Sequence, residues 1–305
     1  MIDRQSAFVT NLTNLSQNAW LGEIDDICDE LGFFEQLGRS HCAAFLEAGN
    51  NLLVTFENIP DVQENNTDAE PRGFPFTRHE GWSHLALLSF DNGWFRDEAV
   101  IDFFDRMTDD AFFEDFENIV FFGANQAGYA ASAFSLASPG STIVALNPQA
   151  TLEPISAGWD TRFRSARRTD FSGPYGYAPE MVEGAKEVFI AFDPQEHLDA
   201  CHAALFRKPH VTLLPCPLMG GNLDKTFDRL RILEVIIKLA MTGSLTAKRF
   251  NQLLRARRYD DVYGQDLVTH LVKSNHTGLA RVICEYKLQR GKNPFYAKTL
   301  DDLAR

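Results

Sequence analysis

The stretch that most constrains this chain is Asn118-Ile119-Val120-Phe121-Phe122-Gly123-Ala124-Asn125-Gln126-Ala127-Gly128. Its apolar run, Ile119 to Phe122, is closed by a turn signal, Gly-Ala-Asn-Gln-Ala-Gly. Small residues follow in Tyr129-Ala130-Ala131-Ser132-Ala133-Phe134. A short apolar run closed by glycine reads as a buried strand, and the small residues after it as a helix pressed closely onto a sheet. A strand, a very tight turn and a close-packed helix in immediate succession leave few folds open.

The remaining elements fit one of them. Apolar segments at Leu52–Phe56, Leu85–Phe90, Thr142–Leu146, Val188–Phe192 and Val211–Leu214 read as strands. They alternate with helical stripes, Val100/Phe103/Phe104/Met107 and then Phe227/Leu230/Leu233/Ile236/Ile237 in a helix from about Leu223 to Met241. The aromatic stripes read as core. The alternation predicts an α/β fold with a mostly parallel sheet flanked by helices, and ligands at the carboxyl ends of its strands. Before this body, a polar lead (Met1 to Asn18) precedes a helical face of Trp20, Ile24, Ile27, Leu31 and Phe34. His41–Glu47 and Leu52–Glu57 flank Gly49-Asn50-Asn51, which reads as a hairpin. Pro60–Pro75 is polar and turn-rich, a long connection expected near the mouth of a site. The expected organisation is a helical lead over residues 1–39, a body over 40–242 with an insertion at 151–187, and a helical segment over 243–305.

Composition bounds the function classes. A 305-residue chain that is 45% apolar can build a large core. Net charge is −13 but uneven: residues 243–305 carry 12 Lys/Arg and 6 Asp/Glu, a net of +6, leaving −19 for the rest. An acidic body argues against a broad nucleic-acid surface. The basic tail either docks on that body or meets a partner of its own, possible homo-oligomers included. The five cysteines are scattered, without zinc-like spacing, and read as reduced thiols of a cytoplasmic protein. Met1 to Asn18 has no basic and apolar leader pattern, and no apolar run approaches the roughly 20 residues of a membrane span.

The strand, turn and helix around Asn125 resemble the nucleophile elbow of the α/β-hydrolases, G-x-S-x-G. The resemblance covers residues 40–241 and rests on Gly123, Gly128, the element order, Asp193 and the loop after the last strand. It implies a catalytic triad in chain order Ser, Asp/Glu, His. Here Asn125 stands at the nucleophile position and Ala127 at the second glycine. Asp193, in Phe192-Asp193-Pro194, stands at the acid position. The loop Pro217-Leu218-Met219-Gly220-Gly221-Asn222, where the base is expected, contains no histidine. A carboxamide is not an acyl-transfer nucleophile. The resemblance is therefore to a member with a degenerate triad.

Other chemistries have less support. There is no phosphate-binding loop, dinucleotide fingerprint or H-E-x-x-H, so no cofactor is expected. The strand-end carboxylates Glu57, Asp91 and Asp193 lack ligand spacing, so no metal is expected either. His79, His84, His197, His202 and His210 read as surface or packing residues, Ser132 and Ser135 as packing residues. Cys216 lies near the last loop without a sign of reactivity. The insertion carries Trp159, Arg162, Phe163, Arg164, Arg167 and Arg168. These suit an anionic or planar ligand, or ion pairs with the acidic body, the plainer reading. Two functions follow. The first is a protein without the usual Ser/His chemistry that binds a small-molecule ligand or a protein partner. Its pocket would be formed by Asn125, Gln126, Glu57, Asn58, Trp159 and Arg162. The second is an esterase-like hydrolase with a displaced or non-standard catalytic set.

Overall fold

The computed structural model describes residues 11–65, 68–91 and 93–304. Met1 to Thr10, in the polar lead, and Asn92 lie outside them. Eight strands form one sheet in the order β1-β2-β4-β3-β5-β6-β7-β8. They are β1 (Gly32–Leu37), β2 (His41–Leu46), β3 (Asn51–Asn58), β4 (Ser83–Ser89), β5 (Asn118–Ala124), β6 (Thr142–Leu146), β7 (Glu187–Phe192) and β8 (Val211–Pro215). From β4 through β8 every pairing is parallel, and β2 runs antiparallel to both β1 and β4.

Alternation along the strands divides the core. Phe121, Ile143 and Ile190 face one side, under the helices Glu98–Asp109 and Gln126–Phe134. Val120, Phe122 and Val144 face the other, under Leu223–Arg229 and Leu233–Met241. Side chains that point alternately to opposite faces require both faces to be covered in a parallel sheet. The phenylalanine stripe is core, as expected: Phe104 stacks on Phe134 with centroids 4.5 Å apart, and on Phe56 at 5.8 Å.

Three expectations are corrected. His41–Glu47 and Leu52–Glu57 do not form a hairpin, because β4 lies between β2 and β3 and pairs with both. Gly49-Asn50-Asn51 does turn the chain, but each strand pairs along its edge with β4 and not with the other. The N-terminal helix spans Gln17–Leu31 and stops before Phe34, which lies in β1. At Gly32 an added Cβ would collide with the Phe45 carbonyl, so close strand approach ends the helix there. The sheet thus begins inside the stretch read as a lead. The helix expected from Leu223 to Met241 breaks in two. Arg231 adopts φ 56°, and Ile232 N donates to Phe227 O at 2.9 Å, the hydrogen bond of a Schellman stop.

Pro60–Pro75 is not a plain loop, since the short helix Ile59–Asn65 opens it. Within the insertion, Phe171 and Tyr175 are buried against Tyr129 and Phe134. These two rings belong to the core, whereas Trp159 is exposed. Beyond the body, the helices Asp261–Lys273, Thr277–Leu288 and Pro294–Leu303 share a small core of Val268, Ala280, Cys284 and Tyr296. Arg229 forks onto Asp260, at 3.1 and 3.0 Å, where this helical region meets the body. No helix among the described residues is long and apolar enough to cross a membrane.

Candidate functional site

β5 ends at Ala124, and the helix Gln126–Phe134 starts two residues later. Only Asn125 lies between them, at φ 53° and ψ −119°. That conformation lies outside the regions ordinary residues occupy and costs about 1–3 kcal/mol. Packing enforces it. Asn125 N donates to Leu146 O of β6 at 2.8 Å. At Gly123 an added Cβ would collide with the Ala127 carbonyl, so only glycine lets the helix fold back onto its own strand. At Gly128 the same Cβ would meet Gly123 O and Leu146 O at 3.2 Å. The close contact of helix and sheet therefore falls on Gly128, which lets Ala127 stand where the motif usually has glycine.

A strained single-residue turn after the fifth strand, in a sheet ordered 1-2-4-3-5-6-7-8, decides the architecture. The fold is that of the α/β-hydrolases. No protein-family model matches this α/β-hydrolase-fold chain, and no curated protein matches it. Among solved structures it is similar to a Glycosylation Associate Protein (Gap123) complex from Streptococcus agalactiae, at 13% identity and TM-score 0.45. That match covers 67% of this chain, which spans only 45% of the other. It is also similar to the esterase domain of a Rhodothermus marinus protein, at 14% identity and TM-score 0.42, covering 68% of this chain and 96% of that one. A third is Mycobacterium tuberculosis MPT51 (FbpC1), at 14% identity and TM-score 0.42, covering 67% and 95%. At these values the likenesses add nothing to the topology.

In this α/β-hydrolase fold a cleft of about 1130 Å³ opens at the carboxyl ends of the strands. Asn125, Gln126, Glu57, Asn58 and Arg162 all line it. Trp159 and Asp193 are not among its lining residues. Trp159 packs on His202, with ring centroids 4.5 Å apart, and its Nε1 donates to Ser156 O at 3.0 Å. Asp193 is buried, and its hydrogen bonds come from backbone amides. Its Oδ2 accepts from Met219 N at 2.7 Å and Gly220 N at 2.8 Å, and its Oδ1 from Gln195 N at 2.9 Å. The last loop supplies amides where a triad would supply an imidazole.

Glu57, at the end of β3, is half-buried and held from two sides. Thr55 Oγ1 donates to its Oε1 at 2.6 Å, and Arg72 N donates to both oxygens at 3.0 Å. Burial raises the Glu57 pKa, against the lowering effect of the Arg72 charge. Behind Thr55 stands His84, whose Nε2 lies 2.9 Å from the same hydroxyl. With Thr55 donating to Glu57, His84 carries its proton on Nε2 and donates to Thr55. Burial pushes the His84 pKa down to about 3, so the ring is neutral. An added Cβ at Gly73 would collide with this ring, so glycine there makes room for it.

The arginines of the site are already engaged. Arg72 forks onto Asp228 at 3.1 and 3.0 Å and lies over the Phe122 ring at 5.7 Å. Arg162 reaches Asp160 at 2.8 Å and Asp199 at 2.6 Å. His202, buried, lies 3.1 Å from Asp160 and accepts from Ala150 N through Nδ1. Burial lowers the His202 pKa, against the raising effect of the hydrogen bond that its Nε2 donates to Asp160. His202 thus pins the insertion rather than facing the cleft. Ser132 and Ser135 are buried and donate to carbonyls of their own helix. Cys216 is buried, and burial raises its thiol pKa. Among the described residues no group of three or more His, Cys, Asp or Glu is placed to hold a metal ion.

Sequence reasoning missed Arg72, Gln149, Asp224 and Asp228, all of which line the cleft. Gln149 follows the strand-end Asn147-Pro148, and its position there was the only signal. Arg72 lies in Pro60–Pro75, the connection expected near the mouth of a site, but nothing singled it out there, and Asp224 and Asp228 lie on a helix read only for its apolar stripe.

Proposed function

We propose that this α/β-hydrolase-fold protein binds a small polar molecule in the elbow cleft and does not carry out Ser/His acyl transfer. The observation that supports this reading best is Asp193. Its two oxygens accept from three backbone amides, and no histidine among the described residues pairs with it. At the elbow a carboxamide stands at the nucleophile position, and among the described residues the lining includes no histidine or cysteine. Ser165, the serine among them, sits on the exposed turn Arg164–Arg168. The binding residues are Asn125, Gln126, Glu57, Asn58 and Arg162, on the body read over 40–242. Four of the five free thiols are buried, which suits a reducing, cytoplasmic setting.

The test compares hydrolysis of short-chain activated esters by wild type, Asn125→Ala and Glu57→Gln. No turnover above buffer in any of them is the expected result. Turnover that Asn125→Ala abolishes overturns the reading. The second reading, a hydrolase with a non-standard catalytic set, draws on Glu57, a cleft carboxylate whose raised pKa suits proton transfer. It requires turnover that Glu57→Gln removes.

A further inference from the structure

Two buried acceptors in the cleft have no donor. Gln149 is only 1% exposed, and its Nε2 donates to Asn147 O at 3.1 Å. That hydrogen bond fixes the amide, because its carbonyl end cannot face another carbonyl. Gln149 lines the cleft, and its Oε1 is left buried and unpaired. Asp224, on the helix Leu223–Arg229, also lines the cleft, and its Oδ1 is buried and unpaired. Each buried acceptor without a donor costs about 1–3 kcal/mol. Two of them on residues of one cleft are groups that a bound molecule with donors would satisfy.

The charges narrow its chemistry. An anion would find Arg72 and Arg162 already committed to carboxylates, with Lys225 the remaining cation of the lining. An ammonium ion would satisfy the acceptors but offer nothing to the donor ends of the neighbouring carboxamides. Asn125 and Gln126 present such carboxamides, unbonded to other protein groups, and each both donates and accepts. Hydroxyl groups do both as well. Phe122 and Ile237 add apolar floor for C–H edges.

Building on the ligand-binding reading, we propose that the cleft takes a neutral, polyhydroxylated molecule, a sugar residue or polyol. Its hydroxyls donate to Gln149 Oε1 and Asp224 Oδ1 and exchange hydrogen bonds with Asn125 and Gln126. A volume of about 1130 Å³ accommodates more than one sugar ring.

Titration calorimetry on the full chain tests this with three probe sets. They are methyl glycosides of the common hexoses with their disaccharides, the diamine putrescine, and inorganic phosphate with succinate. The expected result is saturable binding of a neutral glycoside, weakened about tenfold or more by Gln149→Met and by Asp224→Ala. Thermal melts of both variants establish that they fold. Binding of putrescine or an anion without any glycoside overturns the proposal, as does the absence of glycoside binding. Glycoside binding untouched by both substitutions overturns it too. Amine or anion binding that Asn125→Ala weakens leaves the ligand-binding reading in place and removes only the sugar class. Ester turnover that depends on Asn125 removes the ligand-binding reading itself.

Discussion

At the end of β5, Asn125 keeps φ 53° and ψ −119°, held by Gly123, Gly128 and the Leu146 carbonyl. At the ends of β7 and β8 the carboxylate is also in place, but Asp193 is bonded to the amides of Met219 and Gly220. The two regions are held together differently. The elbow is a strained backbone turn that carries a carboxamide. The last loop is tied down by a carboxylate that accepts from its amides. The elbow shape depends on close packing between helix and sheet, and any side chain at position 125 inherits it. The arrangement at Asp193 depends on individual hydrogen bonds from Met219 N and Gly220 N, which a change at that one residue removes.

Four substitutions break or sharpen this comparison. Gly123→Val should have the largest effect, because the new side chain meets backbone at the elbow. A loss of roughly 4 kcal/mol or more, or failure to fold, is expected in urea denaturation. Asp193→Ala should cost about 3 kcal/mol by the same measurement, since it strips a charged acceptor from three amides. A much smaller loss would mean that the last loop does not depend on Asp193.

The third concerns the buried His84 behind Glu57. It is neutral in the fold, with its pKa lowered from 6.5 to about 3. Between those values the unfolded chain binds the additional proton, so stability falls as pH drops below 6.5. From pH 7 to pH 5 this amounts to about 2 kcal/mol. His84→Gln, which keeps a donor for Thr55 without titrating, should remove that part of the slope in paired pH 7 and pH 5 melts. His41 and His202, lowered in the same direction, retain their own share. The smallest effect is expected from Asn125→Gly, which relieves the strained turn. It should raise stability by about 1 kcal/mol while weakening ligand binding. A loss of stability would show that the elbow is not strained.

Much of the body was legible because its signals are local. Ile119–Phe122, Thr142–Leu146 and Val188–Phe192 are apolar runs closed by turn residues, and each is a strand of the sheet. β1 was not legible, since Gly-Phe-Phe-Glu-Gln-Leu does not stand apart from the helical stripe before it. The hairpin reading failed because a turn signal says that the chain reverses, not which strand comes to lie alongside. The site divides in the same way. Glu57, Asn58, Asn125 and Gln126 sit at strand ends, and topology sends strand ends to one place. Arg72, Gln149, Asp224 and Asp228 reach the cleft from separate segments.

By itself, then, the sequence determined the α/β class, the elbow and the absence of a serine and a histidine from the positions a triad requires. These follow from residue identity and short-range periodicity. Only the tertiary structure decided that β4 separates β2 from β3, that Asp193 serves backbone amides, and that Gln149 and Asp224 line the cleft and each hold a buried, unpaired acceptor. Hydrogen-bond partners and burial are set between segments far apart in the chain, and no local pattern encodes them.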